Sequence, residues 1–131
     1  MKDHEYLRKI YYHDTDCGGV VYYANYLKFC EEARDSHFAA CGYDLRKLND
    51  SGVWFVVGHV EVNYRAPARF GDELTVLSRI ERVGGASIAF SHQIRRGEYI
   101  LNESTARIVC VGADLRPQPV PADIKNAFTP I

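Results

Sequence analysis

The sequence predicts an α+β fold in which one long helix packs on a curved antiparallel sheet. Three observations predict it. One stretch alone, about residues 22–41, places apolar residues at helical spacing. Four later runs read as strands, most with a period of two, divided by turn residues. A chain of 131 residues suits a single domain, 1–131, and can bury a core without disulfides or metals.

Residues 5–12 (EYLRKIYY) have the aromatic and β-branched content of a strand. A polar loop, HDTDCGG, follows at 13–19. In the helix, Tyr26, Phe29, Cys30, Ala33, His37 and Ala40 recur on one side, and Lys28, Glu31, Glu32 and Asp35 form the polar side. Gly42 supplies the stop. The first turns, VVYYANYL, are apolar nearly all round, which predicts deep burial of that end. Asp44 opens a short helical turn, DLRKLND, ended by Ser51-Gly52. In 53–65, Trp54, Val56, Val60, Val62 and Tyr64 alternate with Phe55, Val57, His59, Glu61, Asn63 and Arg65. The second set turns polar halfway, so the strand is expected to be buried on both faces at its start and on one at its end. After APARFGD, a strand at 73–83 sets Leu74, Val76 and Ile80 on one face. Gly84-Gly85 reads as a two-residue hairpin. Residues 86–96 align Ile88, Phe90, His92 and Ile94, Gly97-Glu98 turns the chain, and 99–112 is a fourth long strand. The tail carries Pro117, Pro119 and Pro121, then a short helical run, ADIKNAF.

Composition excludes several function classes. Sixteen basic and 17 acidic residues give a net charge of −1 with no basic stripe, so nucleic-acid binding has no electrostatic support. No run approaches the roughly 18 apolar residues of a membrane helix. The N-terminus, MKDHEYLRKIYY, lacks the apolar region of a signal peptide, so a cytoplasmic location without membrane insertion is expected. Cys17, Cys30, Cys41 and Cys110 form no C-x-x-C pair. Cys30 and Cys41 share a helix about 16 Å apart, too far for a disulfide.

The densest chemistry is HDTDCGGVVYYANY. Two carboxylates, two glycines and a helix start fall within a few residues. A helix N-terminus carries unpaired N–H groups and about half a positive charge, and can stabilise a developing oxyanion. A carboxylate facing it could attack a carbonyl or activate water. Asp14 and Asp16 could equally make Asx-turns that shape the loop. A calcium loop fails because Asn25 stands where the bidentate Glu belongs. A zinc site of His13, Asp14 and Asp16 lacks ligand spacing. A catalytic Cys17 lacks a paired His, and its acidic neighbour would raise the thiol pKa. No metal or cofactor is called for.

At these residues the chain resembles the 4-hydroxybenzoyl-CoA thioesterase family, and within it the YbgC-type acyl-CoA thioesterases. The resembling stretch is YYHDTDCGGVVYYANYLKFCEEAR, residues 11–34, with a weaker second segment, NYRAPARFGDEL, at 63–74. The resemblance implies a hotdog fold, a long central helix wrapped by the sheet. It implies subunits paired edge to edge as a homodimer or dimer-of-dimers homotetramer, with sites at the interface. The expected substrate is a short-chain or aromatic acyl-CoA, or the thioester of an acyl carrier protein. By carry-over Asp16 is nucleophile or general base, the Tyr23 N–H holds the thioester oxygen, Gly19 lets the loop approach the substrate, and Tyr12 matches an aromatic position. Asn63, Arg65 and Pro67 would lie near CoA. YbgC-type sequences usually carry His where this chain has Tyr23. That keeps the backbone donor and removes an imidazole.

His37, His59 and His92 read as structural, Trp54 as core or interface, and Arg65 and Arg69 as phosphate contacts or solvated arginines. Two rival functions remain. A hydroxyacyl thioester dehydratase needs a His that does not start this helix. A non-catalytic acyl-CoA-binding or interaction module would dispense with Asp16, which is present.

Overall fold

The computed structural model describes residues 3–129. Five strands form one sheet: β1 (His4–Lys9), β2 (Trp54–Tyr64), β3 (Glu73–Val83), β4 (Ser87–Arg96) and β5 (Tyr99–Val111). Their spatial order is β1-β3-β4-β5-β2, and every neighbouring pair is antiparallel. The predicted meander of β3, β4 and β5 is the centre of the sheet. The two strands nearest the long helix in sequence become its two edges.

Helix α1 (Asn25–Ala40) packs on β1 and β3 and buries Tyr26, Phe29, Cys30, Ala33, Arg34, His37 and Phe38. One apolar cluster gathers Ile10, Val21, Tyr26, Phe29, Leu74, Val76, Ile94 and Leu101 under the first half of α1. A second joins Phe38, Ile80, Ile88, Phe90 and Ile108 to Ile124 and Phe128 of α3 (Ala122–Phe128). Leu45 and Leu48 of α2 (Leu45–Asp50) pack against this second cluster, and the N-cap Asp44 accepts from the Arg46 N–H at 2.9 Å.

Several expectations need correction. The first strand stops at Lys9, and residues Tyr12–Asp14 form a 3-10 turn, because Asp14 folds back to accept the Tyr11 N–H at 2.9 Å. The long helix begins at Asn25 rather than near residue 22. Its lead-in is not deeply buried: Tyr22 and Tyr23 are 45% and 63% exposed. Ala40 also faces out. β2 is not buried on both faces at its start. As an edge strand it leaves Trp54, Val56, Val57, Val60 and Tyr64 open. The glycine hairpin between β3 and β4 has three connecting residues, Gly84–Ala86, closed by Gly84 N–H donating to the Ser87 carbonyl at 2.7 Å. No helix among the described residues is long and apolar enough to cross a membrane.

Candidate active site

The loop 13–24 is a small hairpin leading into α1. Thr15 bridges Val21, the Asp16 N–H donates to the Val20 carbonyl at 2.9 Å, and the Tyr22 N–H donates to the Asp14 carbonyl at 3.1 Å. The tip closes with Gly19 N–H on the Asp16 carbonyl at 3.1 Å. Gly19 takes φ +77° there with open space beside it, so its role is conformational, and a Cβ would meet backbone strain rather than a neighbour.

The two aspartates of D-T-D have different surroundings. Asp14 is buried and bound by Arg8 through two contacts of 2.7 and 3.2 Å. Burial alone would raise its pKa, but the Arg8 and Tyr11 hydrogen bonds prevail and hold it below the ordinary carboxylate range. Arg8 also reaches Glu32 at 3.0 Å and stacks over the Phe29 ring at 4.4 Å. Asp14 therefore ties the loop to β1 and α1. Asp16 is exposed at the tip; its Oδ1 accepts the Gly18 N–H at 2.7 Å, an Asx-turn that fixes the carboxylate and leaves Oδ2 uncommitted. Both readings of the aspartates thus have a place here. Asp14 is structural, and the Asx-turn at Asp16 orients an otherwise accessible carboxylate.

At the foot of the hairpin, no described group accepts the Tyr23 backbone N–H. The N-cap of α1 is Ala24, no side chain caps the helix, and its first turn holds no acid. The positive end of α1 is thus left without a protein counter-charge. The Tyr64 hydroxyl donates to the Tyr23 carbonyl at 2.8 Å, and Asn25 Nδ2 donates to the Asp14 carbonyl at 2.9 Å. Together they fix the turn that presents the N–H.

The second sequence segment meets the first. Val20 bridges Arg69, Val21 N–H donates to the Ala68 carbonyl at 2.9 Å, and the Ala68 N–H donates to the Tyr26 hydroxyl at 2.9 Å. Tyr12, largely exposed, packs edge-on against Phe70 at 5.8 Å. Pro67 lies in the connection just before Ala68, and its carbonyl accepts from Arg96 at 3.3 Å. Asn63 is on the outer end of β2, and Arg65 pairs with Glu103 at 2.8 Å. Tyr64, between those two, is the link to Tyr23. Sequence reasoning missed Arg8, Asn25 and Tyr64 as positioning groups. Nothing local marks Arg8, whose partner lies six residues on across a turn.

The histidines read as structural are varied. His37 is buried with its Nδ1 3.0 Å from Ser78 Oγ, and His59 is exposed beside Glu61 at 3.1 Å. His92 is buried with neither ring nitrogen partnered. Among the described residues no three His, Cys, Asp or Glu side chains come together as metal ligands.

The profile of the thioesterase-like superfamily matches residues 11–128. The acyl-CoA thioesterase YbgC of Haemophilus influenzae is 34% identical, over 92% of this chain and 90% of its own. The acyl-CoA thioester hydrolase YbgC of Escherichia coli is 37% identical over 92% and 91%. The crystal structure of a 1,4-dihydroxy-2-naphthoyl-CoA thioesterase from Synechocystis superposes with a TM-score of 0.89 at 25% identity, covering 97% of this chain and 96% of that one. The antiparallel five-stranded sheet matches the hotdog fold of thioesterase structures.

Proposed function

The chain belongs to the thioesterase-like superfamily, and from that premise we propose that it hydrolyses acyl-CoA through Asp16 and the Tyr23 N–H. The observation that carries the residue assignment is the pairing of an accessible, oriented carboxylate with an uncapped helix start on one hairpin. The thioester oxygen would accept from the Tyr23 N–H, so charge developing on it meets the positive end of α1. Asp16 then either takes the proton of an attacking water or attacks the carbonyl carbon itself. In the second case an anhydride forms, which water opens. Either way the C–S bond breaks, CoA leaves as the thiolate and gains a proton, and the free acid remains.

Asn63, Arg65 and Pro67, with the Tyr12–Phe70 pair, offer polar and aromatic contacts for CoA at the rim. Arg65 would have to exchange Glu103 for a phosphate. Two copies would pair along the open β2 edge, as a dimer or as half of a tetramer, and cover the apolar residues there. We place the enzyme in the cytoplasm, where CoA thioesters are available.

Release of thiol from acyl-CoAs of acetyl to palmitoyl, and from benzoyl and 4-hydroxybenzoyl-CoA, tests the reading. Asp16→Asn is expected to remove at least ~99% of turnover, about 2.7 kcal/mol of barrier. Near-normal turnover in that variant rejects Asp16. Silence of the wild type on every CoA substrate, with turnover of acyl carrier protein thioesters, moves the reading to that carrier; silence on both favours a binding module.

A further inference from the structure

Between α1 and β2 lies a cleft of about 240 Å³, lined in its depth by the buried Cys30, Arg34, His92 and Ser104, with the half-exposed Val57 on its outer side. Leu27 and Val60 line it as well, which opens it along α1 toward the Tyr23–Tyr64 end. Its chemistry is unusual for an acyl pocket. Arg34 is only 7% exposed, yet among the described residues it has no ion-pair partner. His92 is 3% exposed, and both of its ring nitrogens lack a partner. Burial, then the charge of Arg34, push the imidazole down to about 3, so it is neutral and offers one donor and one acceptor. Ser104 Oγ lies 3.5 Å from Cys30 Sγ, its sole described side-chain partner. Lys28 and Glu31 stand at the mouth and oppose each other in sign. The depth therefore carries one fixed positive charge with several unmet donors.

A guanidinium this buried, with only the charge of Glu31 at the mouth acting on it and no ion pair made, is costly, and its planar fork suits a carboxylate. Resting on the thioesterase reading above, we infer that this cleft receives the far end of the acyl group and that the substrate class is an ω-carboxyacyl thioester. The carboxylate sits on Arg34, with His92 and Ser104 completing its hydrogen bonds. Val57, Val60 and Leu27 wall the methylene chain between it and the thioester. Arg34 lies nine residues past Asn25, the first residue of α1, about 14 Å of helix from its Tyr23 end, and its side chain leans back toward the N-terminus. That span fits a chain of medium length rather than a short or single-ring acyl group.

The test compares suberyl-CoA with octanoyl-CoA, equal in carbon number and differing in the terminal carboxylate. Wild type is expected to show a kcat/KM at least tenfold higher on suberyl-CoA. Arg34→Met should lower the suberyl-to-octanoyl ratio at least tenfold, and Arg34→Lys should restore part of it. The wild-type comparison stands even if Arg34→Met does not fold. A wild-type preference for octanoyl-CoA, or a ratio unmoved in both variants, overturns the inference, including the case in which a second copy's carboxylate occupies Arg34. Octanoyl-CoA turnover that is lost in Asp16→Asn keeps the thioesterase reading intact in that event. If neither substrate is hydrolysed, the inference fails, and the thioesterase reading is decided by the wider acyl-CoA panel above.

Discussion

At the scale of single residues, the D-T-D motif sets a buried, paired carboxylate two positions from an exposed one. Asp14 is 4% exposed and held by Arg8 and the Tyr11 N–H, so removing its charge strands the guanidinium. Asp14→Ala is expected to destabilise the fold by about 2–4 kcal/mol, toward the low side for a broken buried pair because Arg8 keeps Glu32. Urea unfolding would read this as a lower midpoint at unchanged slope. Asp16→Asn, by contrast, should shift the midpoint little while removing turnover. The same residues set the acid limit. Asp14 has a folded pKa below its unfolded value, so its stabilisation is present above about pH 4 and is lost as pH falls through the folded value. His92 and His37 are held neutral, at about 3 and about 4, whereas the unfolded chain protonates them near pH 6.5. Below that pH the unfolded state binds more protons, so stability falls with falling pH from about 6.5 toward 4. Unfolding free energies at steps across that range check the sign, and His92→Gln should flatten the slope. A flat profile in wild type would contradict the burial assigned to both rings. Asp16, Gly19 and Tyr23 could be proposed from sequence because they sit in one contiguous motif. The sequence could not carry Arg8, Tyr64 or the isolation of His92, which depend on what the fold brings beside them.

At the scale of elements, β2 shows why its pattern misled. Its apolar residues alternate as a buried strand's would, but pairing on one side only leaves both faces largely open. Periodicity reports that a face is apolar; it does not report what covers it. Within β2, Gly58 stands at the register shift between Val57 and His59, where a Cβ would lie 2.9 Å from Val109 Cγ2. A bulge bends the strand, and a glycine there marks close approach. Gly58→Ala is therefore expected to cost about 1–2 kcal/mol through overpacking, and Val109→Ala in the same chain should recover part of it. Thermal or urea unfolding of the two single variants and the double variant measures the coupling. Simple additivity would mean that Gly58 is required for its backbone rather than for space. The central meander was legible almost to the residue, since β3 through β5 are each buried on one face and separated by glycine turns. The helix start was placed about three residues early because Val21 and the tyrosines extend its apolar character into the hairpin.

At the scale of the molecule, seven exposed apolar residues gather on one side of the sheet. Trp54, Val56, Val57, Val60 and Tyr64 lie along one edge strand, and Tyr22 and Tyr23 adjoin the end that Tyr64 reaches. An edge of this length with free backbone groups and apolar side chains is a site for another strand. A two-fold contact would set β2 against its own copy, antiparallel, and place the same residues opposite one another. It would also roof the cleft lined by Leu27 and Val60, excluding water from the thioester and strengthening the helix-end field. On the proposed pairing, one chain supplies only part of the site, which accords with the exposure of Asp16. Val56→Glu places a charge on that edge outside the acyl cleft, where two copies would meet with like charges. The expected outcome is a folded monomer by light scattering and circular dichroism, with turnover at least tenfold below wild type and recovering as protein concentration rises. An active monomer would mean that one chain assembles the site alone. In that case the apolar edge has a purpose unconnected with catalysis.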